Sequence, residues 1–253
     1  MANLLGFSAM VLGAVLLAQQ PQIQNGTVET RQVARLGQLS TDIAAIAKTA
    51  TAPTWIGWRE PAATSLDNAC CILQWNDEPL QRGCGVEPAP TDANGRTIDT
   101  PRPAFAPPSG PVKLEAGTSV LILVRIADHA VERVRSYADD CPLDAGGRSV
   151  IWLEGVSAAE SVAYLNSLVS LHDVAGTPTD IRRRLNSSAI AAIGWHKEAA
   201  ADTLIALAKQ NTDSPARTNA FNALGRSTDP KTMAFIEQIL AREKSEQGES
   251  KKQ

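Results

Sequence analysis

The chain is short of the residues on which most enzymes and nucleic-acid binders depend. Three histidines and four cysteines in 253 residues leave little for a metal or acid–base centre, and aromatic side chains make up only 4%. No G-x-S-x-G elbow, P-loop or Rossmann glycine pattern occurs, and no serine or cysteine stands in sequence with a histidine and acid that could activate it. Basic charge is scarce as well. Residues 1–155 hold 12 basic against 16 acidic side chains and residues 156–253 hold 12 against 11, so neither part carries the positive footprint that displaces counterions from phosphates. These absences set nucleic acid aside as a partner, give no cofactor or resident metal to expect, and point to a chain that is not an enzyme.

One long apolar run is present. Leu4 to Ala18 spans 15 residues without a charge and gives way abruptly to Gln19-Gln20-Pro21-Gln22. That is the length of a secretory h-region and is shorter than the roughly 20 residues of a membrane span. Residues 1–20 are therefore read as a signal peptide of an exported protein, with no stable membrane span after leader removal. A buried N-terminal helix and an uncleaved leader held in the inner membrane are the alternatives. Cysteine usage agrees with export, because an even number of cysteines (Cys70, Cys71, Cys84, Cys141) suits paired disulfides in an oxidising compartment. Four cysteines allow three connectivities. On a strand, Cys70 and Cys71 would point to opposite faces, so each is expected to take its own partner from Cys84 and Cys141. Free buried thiols are a second reading. A structural zinc site is the third and fits worst, since 12 residues separate Cys71 from Cys84.

Thr30 to Ala50 reads as an amphipathic helix, with Val33, Leu36, Leu39, Ile43 and Ile46 at three- and four-residue spacing; residues 21–52 form an N-terminal helical segment. Ten of the 15 prolines then fall between Pro53 and Pro111, where no helical array can form. Trp55-Ile56-Gly57-Trp58 and Cys70 to Trp75 read as short strands, and Glu87 to Pro111 as a long loop. Thr118 to Ala127 is apolar on both faces and so central in its sheet. Val131 to Tyr137 follows as its hairpin partner across Asp128-His129-Ala130, and Ser149 to Leu153 adds a strand after an Asp144-Ala145-Gly146-Gly147 turn. Residues 53–155 are thus expected to form a β-rich, cysteine-containing domain.

Helix resumes at Ser157, an N-cap with Glu160 in the capping-box position. Four more helices follow, over Thr179–Gly194, Lys197–Gln210, Pro215–Gly225 and Pro230–Arg242, and residues 243–253 read as a disordered tail. Ala189-Ile190-Ala191-Ala192-Ile193-Gly194 returns as Ala220-Phe221-Asn222-Ala223-Leu224-Gly225, 31 residues on, and Leu204-Ile205 returns as Phe235-Ile236. Together with Ser214-Pro215-Ala216-Arg217 and Thr228-Asp229-Pro230, this pattern resembles HEAT repeats in their short bacterial form. The remainder is similar to exported bacterial HEAT-repeat proteins with a cysteine-bearing β segment, on Trp55 to Trp58, Cys70-Cys71 and Asp140 to Gly147. The resemblance implies an α+β fold, in which a small disulfide-bonded β-rich domain precedes a short α-solenoid of HEAT-like helix pairs over residues 156–242. It also implies a protein-interaction or scaffolding role in the bacterial cell envelope, periplasmic or extracellular, with a protein partner, and it brings no known activity with it.

The residues assigned to partner binding are Lys197, Lys209 and Glu237, on the inner helix surfaces of that array. An envelope enzyme or glycan-binding domain within residues 53–155 is the alternative, using exposed tryptophans among Trp55, Trp58, Trp75 and Trp152 and the acidic loop of Asp139, Asp140 and Asp144, which could also hold a calcium ion. His129, His172 and His196 read as solvated or capping residues. Arg182-Arg183-Arg184 reads as a solvated helix face.

Overall fold

A computed structural model describes residues 21–33, 35, 37–64, 66, 69–73, 81–88, 92, 94, 96, 105, 117–169, 179–210 and 214–250. The expected leader, Trp75, His172 and most of the 87–111 loop lie outside the described residues. The strands are β1 (Ile23–Gln32), β2 (Thr54–Pro61), β3 (Ile72–Leu73), β4 (Gln81–Arg82), β5 (Cys84–Gly85), β6 (Ser119–Ala127), β7 (Ala130–Ala138) and β8 (Leu143–Glu154). The helices are α1 (Leu39–Thr49), α2 (Ala158–Val169), α3 (Thr179–Ile193), α4 (Ala200–Gln210), α5 (Ser214–Leu224) and α6 (Pro230–Ser250).

A mixed six-stranded sheet stands at the centre, in the order β1-β8-β2-β6-β7, with β5 beside the start of β8. β1, β2 and β5 run parallel to β8, whereas β2–β6 and β6–β7 are antiparallel. β6 is buried along almost its whole length, as its two apolar faces require. Its hairpin to β7 turns at Asp128 and His129, both with positive φ (49° and 61°), the backbone of a two-residue turn whose twist matches the strands. The short β3–β4 ladder lies apart from the main sheet.

Two local expectations are corrected. Residues Ile23 to Gln32 are a strand, and the helix begins only at Leu39. The free edge of β8 decides this, pairing Thr27 with Ser149 and Val28 with Val150. Asp144 to Gly147 is not a turn before a strand but part of β8 itself, where the positive φ of Gly146 and Gly147 makes an irregularity opposite Gln24 to Gly26.

The expected architecture, a β domain followed by a solenoid, is also corrected. The first strand and helix of the chain belong to the central sheet and its cover, and the C-terminal helices close on that same sheet. α1 packs on α2, α2 on α3, and α3 on β7 as well as on α5. One hydrophobic cluster runs without a break from Leu39 and Trp55 through Ile122 and Leu165 to Ile190, Leu224 and Phe235. α4 to α6 extend this helical layer outward, and α6 continues to Ser250, past the Arg242 at which the sequence pattern ends.

Candidate functional site

Alternation along β2 sends Ile56, Trp58 and Glu60 to the helix-covered face and Trp55, Gly57 and Arg59 to the other. On the helical face Trp58 Nε1 donates to Ser161 Oγ at 2.7 Å, and Ser161 Oγ lies 2.7 Å from His196 Nε2. His196 Nδ1 meets the Ala192 carbonyl oxygen at 2.9 Å, which makes Nδ1 the protonated nitrogen and leaves Nε2 to accept from the serine. The backbone closes the same junction: Lys197 N–H donates to Pro61 O, and Ala63 N–H to Trp195 O. His196 is therefore not the solvated turn residue that the sequence suggests but is buried, and burial holds its pKa down to about 4. A serine hydrogen-bonded to a neutral histidine has the form of a nucleophilic pair. With Ser161 at 0% and His196 at 2% exposure, neither can meet a substrate, and the arrangement serves to fasten β2 to α2 and to the α3–α4 turn.

Glu60 lies on the same face, 2% exposed, and its Oε1 has no hydrogen-bond partner among the described residues. Burial, reinforced by the charges of Glu160 and Glu198, pushes its pKa up to about 8. Tyr164 sits edge-on to Trp58, and burial raises its phenol well above the ordinary range.

The opposite face carries a charged network. Glu87 accepts two bonds from Arg125, at 3.0 and 2.9 Å, one from Trp55 Nε1 at 2.6 Å and one from Arg148 at 3.3 Å. Arg125 also pairs with Glu132. Burial works to raise the Glu87 pKa, but the bonds from Arg125 and Trp55 and the charges of Arg125 and Arg148 outweigh it and hold the carboxyl below its usual value. This network clasps the segment after β5 onto the sheet. Trp55, Trp58 and Trp152 are core residues, at 0%, 0% and 4% exposure, so they offer no platform for a sugar ring.

Asp144 is nearly buried; it accepts from the Gly146 N–H at 2.7 Å and from Asn25 Nδ2 at 3.2 Å. Among the described residues, the ligand-type atoms close enough to share one ion are the sulfurs of Cys70, Cys84 and Cys141, not the carboxylates of Asp139, Asp140 and Asp144. Those sulfurs belong to disulfides. Cys70 bonds Cys141 and Cys71 bonds Cys84, so each vicinal cysteine takes its own partner. In the Arg182-Arg183-Arg184 run, Arg184 pairs with Asp180 at 2.6 Å and Arg182 donates to Thr179.

Lys197, Lys209 and Glu237 are all exposed. Lys197 precedes α4 and Lys209 is near its end, so a helix of 11 residues, about 16 Å long, lies between them. Lys209 rests its ammonium 4.9 Å from the centre of the Phe235 ring. Glu237 shares a stripe of α6 with Met233 and Leu240, at i, i+4 and i+7. Met233 and Leu240 are 50% and 52% exposed, and Phe221, stacked on Phe235, is 38% exposed. The sequence reading passed over these three apolar residues. A signal for Phe221 was present in the repeat: its counterpart 31 residues earlier is Ile190, which is fully buried. The two ends differ in packing as well: a Cβ on Gly194 would lie 2.8 Å from Ala223 Cβ, whereas its counterpart Gly225 meets only carbonyl oxygens of its own helix, at 3.5 Å and beyond. The end of α3 lies against α5, and Phe221 of α5 lies against Phe235 of α6.

No family model, curated protein or solved structure matches this chain. No helix among the described residues is long and apolar enough to cross a membrane.

Proposed function

We propose that this chain is a protein-interaction module of the bacterial cell envelope that docks its partner on the exposed stripe of α6, through Met233, Glu237 and Leu240. The observation that carries this reading is the exposure of Met233 and Leu240, at 50% and 52%, on either side of Glu237 along one stripe of α6. Large exposed apolar side chains gathered on one element are the mark of a surface that another protein covers. Two disulfides support the exported location, since such bonds persist in oxidising compartments. Kinship of α3–α6 with HEAT-type helix pairs is part of the same proposal and rests on the 31-residue repetition.

Crosslinked pull-down from cell envelope, with partner identification by mass spectrometry, tests it. The wild-type chain is expected to capture one partner reproducibly. A Met233→Glu, Leu240→Glu double variant, checked for unchanged unfolding, is expected to lose that partner by about tenfold or more, the effect of roughly 1.4 kcal/mol at an interface. Equal capture by wild type and variant would refute the assignment of this surface. Lys197→Glu is expected to leave capture unchanged, because Lys197 lies at the sheet junction.

A further inference from the structure

The two disulfides are not independent. Cys84 Sγ lies 3.9 Å from Cys141 Sγ, across from one bond to the other, and the sulfurs of Cys70, Cys84 and Cys141 all lie within 4.8 Å of one another. Their exposure is sharply unequal, with Cys70, Cys84 and Cys141 buried at 7%, 1% and 0% while Cys71 is exposed. The Cys71 N–H also donates to Cys84 Sγ at 2.8 Å, a bond that stabilises negative charge on that sulfur. Of the four cysteines only Cys71 is exposed, and the sulfur expelled by attack on it is the one already provided with a donor and in contact with the second disulfide.

We propose that these cysteines form a two-disulfide relay that oxidises a protein dithiol delivered to Cys71. A substrate thiolate attacks Cys71 Sγ, forming a mixed disulfide and releasing Cys84 as a thiolate; a lower thiol pKa makes a better leaving group. The Cys84 thiolate then attacks Cys141 Sγ, forming Cys84–Cys141 and releasing Cys70. The second substrate thiolate attacks its own sulfur in the mixed disulfide and frees Cys71. Two electrons and two protons pass from the substrate dithiol to the chain. The substrate leaves as a disulfide, and the chain keeps one buried disulfide and two adjacent thiols, Cys70 and Cys71. The second step distinguishes a relay from a simple exposed disulfide, because it moves the surviving bond to new partners.

Disulfide mapping after one equivalent of dithiothreitol, with acid quench, alkylation and mass spectrometry, reads this directly on the wild-type chain. The expected product is a Cys84–Cys141 crosslinked peptide, with Cys70 and Cys71 alkylated. Retention of Cys70–Cys141, with Cys71 and Cys84 alkylated, would overturn the relay. Cys71→Ser leaves Cys84 with a free thiol and is expected to show Cys84–Cys141 and alkylated Cys70 without any reductant. Cys84→Ser removes the sulfur that attacks Cys141 and is expected to keep Cys70–Cys141 intact; rearrangement in that variant would likewise contradict the proposal.

Discussion

Glu60 and His196 sit beside the same junction and titrate in opposite senses. Glu60, raised to about 8 from 4.5, keeps a proton in the folded chain that the unfolded chain releases, so it lowers stability as pH climbs through that window. His196, lowered from 6.5 to about 4, stays neutral when folded while the unfolded chain takes up a proton, so stability falls as pH drops through that range. The two effects oppose each other between the ordinary carboxyl and imidazole values, and above them Glu60 acts alone. Glu60→Gln is therefore expected to gain about 2 kcal/mol on the wild type between about pH 6.5 and 8.5, in urea unfolding at each pH. A difference constant with pH would show that this carboxyl does not keep its proton. On the other face, Glu87→Ala strips Arg125 of its bidentate partner and leaves the guanidinium with Glu132, in a setting only 8% exposed. A loss of about 3 kcal/mol is expected in the same assay, since one partner of a buried pair is removed.

Among the elements, α1 and α2 begin at one carboxylate. Glu160 closes its capping box with Ser157 and also accepts from the Gly37 and Gln38 amides, where the α1 N-cap residue supplies no side-chain bond of its own. Burial works to raise its pKa, but the bonds from Ser157, Gly37 and Gln38 hold it down. Glu160→Ala is expected to cost about 2 kcal/mol and to speed amide exchange at Gly37, Gln38 and Ser157 together; protection kept at Gly37 and Gln38 would refute the shared cap. The Ser157–Glu160 box was legible in the sequence because its partners are three residues apart, and its second use was not, because Gly37 is 123 residues away. The same division holds elsewhere. The β6–β7 hairpin, helices α2 to α5 and the start of α6 follow from local periodicity and caps, such as Asp229 Oδ1 accepting from the Lys231 amide at the start of α6. Pairing of β1 with β8 depends on a remote edge, and periodicity shows which side chains are apolar, not what covers them. Gly57 is another such place: a Cβ there would come within 2.9 Å of the Trp152 ring. Gly57→Ala is expected to destabilise the sheet by about 1 to 3 kcal/mol in urea unfolding, and an unchanged midpoint would mean that the ring moves freely.

For the whole molecule, the β-to-helix boundary seen in composition is not a boundary in packing. Proline content changes sharply between the two parts, but the side chains of Trp58, Ser161 and His196 cross from one to the other, and the apolar cluster follows them. The Cys70–Cys141 bond closes a long stretch of chain, its ends 71 positions apart in sequence, and its removal as a Cys70→Ala, Cys141→Ala pair is expected to cost about 4 kcal/mol through the freer unfolded chain. This united core, which includes Phe235, also holds the exposed stripe of α6 at a fixed position relative to the sheet, which is what a docking surface needs. Equilibrium urea unfolding of the oxidised full chain, followed at once by tryptophan fluorescence and far-ultraviolet circular dichroism, tests the single core most directly. Buried Trp55, Trp58 and Trp152 report the sheet, and the dichroism is dominated by the helices. Coincident transitions with one midpoint are expected. Two separated midpoints, with helical signal surviving after the tryptophans are exposed or lost before them, would contradict the account.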